Sequence, residues 1–207
     1  MGKFTVRRIC IDGMLAAIYC ILSVASFTVY PNVQITFAGL AVIVAAIAYG
    51  APDALFVALV GAIVSELRSG YGFSITTPMW IASRLVRAII VGIVASIFLH
   101  KKQRMEDHPV ICSITIVVAA ICVTGANTLA LWLDSIIIGY HYSFVLVTTL
   151  IRFGVGILEA GITCVIVIPL MRALRKAGVI TRPLVEKEEP IETEKETIEE
   201  IEEEKES

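Results

Sequence analysis

Apolar residues in this chain run in long blocks. Between Ile9 and Arg172 most positions fall in apolar stretches of bilayer-crossing length, with basic residues gathered at alternate ends. A membrane-spanning helix needs about 20 such residues, fewer where the bilayer thins. The pattern predicts six helices, over residues 9–30, 34–50, 53–68, 78–99, 109–133 and 143–172. The second and third are short and meet at Gly50-Ala51-Pro52-Asp53. Gly and Pro interrupt a helix and Asp53 suits the cap of the next, so this junction is a tight hairpin rather than part of one long helix. The expected fold is an all-α membrane protein with six transmembrane helices.

The basic residues orient this bundle. Lys3, Arg7 and Arg8 precede the first helix, His100-Lys101-Lys102-Gln103-Arg104 follows the fourth, and Arg172, Arg175, Lys176 and Arg182 follow the sixth. With six spans the three clusters share one side, which the positive-inside rule assigns to the cytoplasm, with both termini there. The opposite loops, around 31–33, 69–77 and 134–142, hold almost no Lys or Arg. They carry Tyr30, Tyr71, Asp134, Tyr140, His141 and Tyr142, with Trp80 and Trp132 close by, and some of these belong to the interfacial aromatic belt. Arg7-Arg8 before an apolar run imitates a signal peptide. The run to Tyr30 is too long for one and further spans follow, so it reads as a transmembrane helix of the plasma membrane protein itself.

Composition sharpens this picture by dividing the chain. Of 207 residues, 57% are hydrophobic and 17% charged, with a formal net charge of −2. Residues 186–207 hold 12 Glu and 3 Lys, which leaves 14 basic and 7 acidic residues, or +7, in residues 1–185. Residues 1–185 are therefore a basic membrane domain. Residues 186–207 form an acidic cytoplasmic tail too poor in apolar side chains to build a core, either disordered or loosely helical, or a docking segment for a partner. Cys10, Cys20, Cys112, Cys122 and Cys164 all lie in apolar segments and make no metal-ligand spacing with His, so they read as small packing residues.

A few ionisable residues sit inside the apolar stretches, among them Glu66, Arg84, Arg87, Arg152 and Glu159. Charge in hydrocarbon costs several kcal/mol unless it is paired or wet, so these residues mark structural pairs or a polar cavity. Trp80, Arg84 and Arg87 fall at i, i+4 and i+7 of the fourth helix and share a face. Arg87 and Glu159 lie at similar depth when counted from the basic ends of their helices, which predicts a structural ion pair. Arg84 and Arg152 then remain in the outer half, where two guanidiniums suit a ligand carboxylate or phosphate. The alternative pairs Arg84 with Glu66 and sends Arg152 to the headgroups. Asn127 offers a hydrogen bond to a ligand or to a neighbouring helix, Glu66 is a further candidate ligand contact, and Trp80 and Tyr142 offer rings for stacking. Gly13 and Ala17, with Ala16 and Cys20 at the same four-residue spacing, form a small-residue stripe on the first helix that admits another helix at close range, from a partner or from within the bundle.

No G-x-x-x-x-G-K-[ST] phosphate loop occurs, so ATP hydrolysis by that route is not expected of this chain. H-E-x-x-H, G-x-S-x-G and paired Cys/His sets are also missing. No cofactor, metal or nucleic-acid partner is expected.

Taken together, these residues resemble the substrate-binding S components of energy-coupling-factor (ECF) transporters, the bacterial and archaeal vitamin importers. The resemblance covers roughly residues 5–178. It rests on Gly13…Ala17 in helix 1, on Ala48-Tyr49-Gly50-Ala51-Pro52 followed by Gly61 and Glu66, on Pro78…Arg84…Gly92, and on Arg152…Glu159…Pro169-Leu170-Met171-Arg172. The departures are Gly13 for the usual Ala, Ala51 inserted between Gly50 and Pro52, and Glu66 for the commoner Asp. The resemblance implies a subunit that binds a vitamin or precursor near the outer face, using helices 4–6 and the helix 1–2 loop, and topples in the membrane to release it inward. It implies a transmembrane coupling subunit docked on helix 1 and two cytosolic ATPase subunits. The outer arginines add an anionic ligand, pantothenate- or folate-like, with hydroxymethylpyrimidine- or pyridoxine-like compounds next. Two other classes stay open: an intramembrane lipid-modifying enzyme using Glu66 or Glu159 as base, and a structural or regulatory protein recruiting partners through its acidic tail.

Overall fold

The computed structural model describes residues 6–30, 33–68, 75–101, 105–139 and 141–178. Lys3, Lys102, Arg104, Arg182, Tyr71, Tyr140 and the acidic segment 186–207 lie outside the described residues, as does the boundary drawn at residue 185. Among the described residues there are six α-helices: α1 Val6–Val24, α2 Gly39–Tyr49, α3 Ala51–Arg68, α4 Thr77–His100, α5 Pro109–Ile138 and α6 Tyr142–Lys176. Three of them, α4, α5 and α6, are long and apolar enough to cross a membrane. α2 has only 11 residues, roughly 16 Å of helix, and falls short of a hydrocarbon core about 30 Å thick.

The expectation of an unbroken first helix to Tyr30 fails at Val24. A short antiparallel hairpin follows instead, β1 Phe27–Tyr30 and β2 Val33–Ile35, with Phe27 opposite Ile35 and Thr28 opposite Gln34. The physical reason is local. Phe-Thr-Val-Tyr is a β-branched and aromatic run, and Pro31 removes a helical donor just after it. Thr36 fastens the hairpin at both ends: its hydroxyl donates to the Leu22 carbonyl at 3.4 Å and accepts from the Ala38 N–H at 3.2 Å. Helix α2 consequently starts at Gly39 rather than 34, and α5 runs on to Ile138, past the expected end at 133.

α2 is the centre of the bundle. It is apolar all round, and nine of its residues, including Ala41, Ala45, Ala46 and Ala48, are buried. Such a helix is stable only when enclosed, and α1, α3, α4 and α6 all pack on it. Its last turn ends at Gly50, whose φ of 97° is a backbone state that side chains disfavour. The chain then turns directly into α3, so the hairpin expected at Gly50–Asp53 is present. Asp53, however, does more than sit at a helix start. It is 1% exposed and accepts from Arg8 Nε at 2.9 Å, while Arg8 Nη2 also reaches the Tyr49 carbonyl at 3.4 Å. One guanidinium thus serves the carbonyl end of α2 and the acid at the start of α3, favourable positions for each charge. Asp12, one turn along α1 from Arg8, is also buried.

The basic ends are tied a second time. A 3₁₀ turn, Met105–Asp107, links α4 to α5 and buries Glu106. Arg175 of α6 pairs with the Glu106 carboxylate, and Arg172 Nη2 donates to the Glu106 carbonyl at 3.4 Å. Farther inside, Arg87 of α4 meets Glu159 of α6 at 3.3 Å, with side chains 17% and 13% exposed. Gly39 makes room for this pair, because a Cβ at that position would collide with the Arg87 guanidinium.

On α1 the small residues divide. Gly13 and Ala17 lie on the exposed face with Cys10 and Met14, Cys20 is half-buried, and Ala16 is 4% exposed and points into the bundle. The expected four-residue docking stripe is thus corrected to Gly13 and Ala17 facing out, because Ala16 is one residue round the helix from Ala17 and shares the buried face of Asp12 and Tyr19. The packing role expected of all five cysteines needs the same correction: Cys112 is buried, but Cys10 and Cys122 are exposed.

Arg87→Ala leaves Glu159 stranded and is expected to cost about 3–5 kcal/mol of stability. Gly39→Val is expected to lower the melting temperature in detergent by dislodging the same guanidinium. The double variant should melt close to Arg87→Ala alone, since both act on one contact. An Arg87→Ala protein that melts with the parent would show that the pair does not hold the fold.

Candidate functional site

Where α4, α5 and α6 meet near the ends opposite the basic clusters, polar side chains are spaced at helical intervals on facing surfaces. Most hydroxyls along α5 and α6 bond back to their own helix: Thr124 to the Ala120 carbonyl, Thr128 to Thr124, Thr148 to Phe144 and Thr149 to Val145, all at 2.7–2.8 Å. This satisfies them without a partner helix. Among the groups that do reach across helices at this end are Trp80, Ser83, Asn127, Asp134 and Arg152.

Trp80 Nε1 donates to Asp134 Oδ2 at 2.9 Å. One turn farther in, Ser83 Oγ donates to Asn127 Oδ1 at 2.6 Å, and Arg152 Nη1 donates to the Asn127 carbonyl at 3.1 Å. The Arg152 guanidinium also lies over the Trp80 ring, 5.1 Å from its centre, within the range of a cation–π contact. Asn127 and Asp134 are seven residues apart and share a face of α5. Three helices therefore contribute one indole, one guanidinium, one amide, one hydroxyl and one carboxylate to a single cluster.

The six residues proposed from sequence for a ligand do not all gather here. Trp80, Asn127 and Arg152 do. Arg84 instead meets Glu66 of α3 at 2.6 Å, with side chains 30% and 11% exposed, which is the alternative pairing considered above. The two outer guanidiniums are thus held by different partners, one by a carboxylate and one by an indole and a carbonyl. Tyr142 is 71% exposed at the first residue of α6, outside the cluster. Trp80, Arg84 and Arg87 share a face loosely enough that their partners lie on three helices, α5, α3 and α6.

Sequence reasoning passed over Ser83 as a site residue and left Asp134 in a loop. Asp134 is 7% exposed inside α5. Its signal was present: the apolar run resumes after it with Ile136-Ile137-Ile138, and Gly139, not Asp134, supplies the helix stop.

A shallow apolar groove lies deeper between α5 and α6, lined by Thr124, Phe153, Gly156 and Ala160 among others. It offers shape but almost no polar recognition, so the cluster above is the stronger candidate for ligand chemistry.

Comparison with known proteins bears on the fold and the family. No curated protein matches the chain at a significant level. A solved structure described as the S component of a bacterial ECF transporter superposes with a TM-score of 0.58, at 20% sequence identity, over 84% of this chain and 98% of that one, which is a likeness of fold. The family model for the ECF-type riboflavin transporter, S component, matches residues 3–176. The chain is therefore a membrane transport subunit and belongs to the S component family of ECF-type riboflavin transporters.

Proposed function

We propose that this chain captures riboflavin or a close flavin analogue at the α4–α5–α6 cluster and passes it inward as the substrate-binding subunit of an ECF transporter. The observation that carries this reading is the cluster itself, found in a chain of this family: Trp80 under a guanidinium, ringed by Asn127, Ser83 and Asp134. A flavin is a flat, uncharged heterocycle with carbonyl acceptors, a ring imide and a polyhydroxyl chain. An indole stacks on such a plane, Arg152 donates to its carbonyls, and the amide and carboxylate serve its donors. Pockets of this kind combine aromatic walls with few, well-placed polar groups.

The earlier anionic candidates, pantothenate- or folate-like, form a second reading, favoured by Arg152. They have less support because Arg84 is engaged by Glu66, so a two-arginine grip would require that ion pair to open. Membership of a transport-subunit family argues against an intramembrane enzyme.

The rest of the proposal follows the family. Six passes, with the short α2 enclosed by its neighbours instead of facing lipid, leave both termini and the basic ends in the cytoplasm of a plasma-membrane protein, with residues 186–207 as a solvated tail. Helix α1 presents Gly13 and Ala17 to a transmembrane coupling subunit, two cytosolic ATPase subunits supply the energy, and the subunit topples to release its ligand. The exposure of Gly13 and Ala17 on one face supports this contact.

Two experiments test these statements. Titration of purified protein with riboflavin, followed by quenching of flavin fluorescence, should give saturable binding that weakens about 10- to 100-fold in Trp80→Ala and Arg152→Ala. Binding unchanged in both variants would remove the cluster from the ligand site. Separately, the double variant Gly13→Leu, Ala17→Leu should still bind ligand yet fail to co-purify with the coupling subunit. Ala16→Leu should lower the melting temperature instead, because it overpacks the interior. Intact co-purification of the double variant would contradict the docking assignment.

A further inference from the structure

We infer that Asp134 reads a hydrogen-bond donor on the captured ligand; this inference rests on the ligand-capture reading above. The carboxylate is 7% exposed, and its two oxygens differ. Oδ2 accepts from Trp80 Nε1 at 2.9 Å, while Oδ1 receives no hydrogen bond among the described residues. A buried carboxylate oxygen without a donor carries a desolvation cost that a donor must offset. A ligand donor brought to this oxygen makes the hydrogen bond that offsets that cost.

Position makes the ligand the fitting donor. Asp134 and Arg152 both touch the one indole of Trp80, the first at its N–H and the second over its face. A ring that reaches Trp80 or Arg152 therefore comes within reach of Asp134. The division of labour is chemical. Arg152 has only donors and serves the ligand's acceptors; the Asp134 carboxylate offers acceptors and serves its donors. On a flavin two groups supply such a donor, the ring imide N–H and the hydroxyls of the side chain. Both present the same chemistry to Oδ1. The Trp80 contact on Oδ2 holds the carboxylate in place, so the two oxygens keep separate roles.

The test uses the full chain in detergent and three probes: riboflavin, 3-methylriboflavin, which lacks the imide N–H, and lumiflavin, which lacks the hydroxyls. Each is titrated against the parent, Asp134→Ala and Asp134→Asn. Asp134→Ala should weaken riboflavin about 10- to 100-fold. It should leave nearly unchanged the affinity of whichever analogue has lost the donor: 3-methylriboflavin if the imide is read, lumiflavin if a hydroxyl is. Asp134→Asn keeps an acceptor oxygen and nearly the same shape, so it should fall between, and it carries the test should Asp134→Ala unfold. If the substitution weakens all three probes alike, or none, Asp134 merely positions Trp80 and the inference is wrong. A parent protein that binds no flavin at all overturns the capture reading as well, a result distinct from either of those.

Discussion

The structure depends on the cost of charge in hydrocarbon. Helix α4 carries Arg84 and Arg87 one turn apart in an otherwise apolar sequence, and neither is tolerable there alone. Glu66 of α3 answers the first and Glu159 of α6 the second. Two contacts on one helix, made to neighbours on different sides, set the register of α4 against both. Gly39 then brings the start of α2 against the Arg87 guanidinium. The polar cluster begins one turn outward on the same helix, at Trp80 and Ser83, so its geometry is inherited from the charged pairs beneath it.

The basic ends of the helices obey the same rule in a wetter setting. Arg8 holds the α2–α3 turn through Asp53 and the Tyr49 carbonyl, and Glu106 ties the α4–α5 connection to α6. Arg8, Arg172 and Arg175, which count toward orientation in the sequence, thus also fasten helix ends together. Any reorientation in a bilayer must carry these pairs closed, because opening one strands a buried carboxylate.

Much of this was legible before the structure. The six helices, the Gly50–Asp53 turn and the matched depth of Arg87 and Glu159 follow from block hydrophobicity, turn chemistry and helical rise. Other features escaped for definable reasons. The hairpin after α1 continues an apolar run, and a short β-branched stretch inside such a run carries no periodicity to separate it from helix. Arg8 and Asp53 are 45 residues apart and each has an adequate local reading, as orienting charge and as cap, so nothing local announces their pairing. Asp12 was passed over beside them. Asp134 was read as loop because a charge was allowed to end a helix that continued for another turn. The choice of Glu66 as partner for Arg84, rather than a ligand, needed side-chain geometry, since both readings place the two residues in the outer half.

Small-molecule mass spectrometry of the protein, expressed without partners in rich medium and purified gently, tests the central claim most directly. The account predicts one flavin released per chain, and its loss from the Arg152→Ala variant. A chain that emerges with a stoichiometric lipid or a different vitamin in that place, and takes up no riboflavin when it is offered, would contradict it.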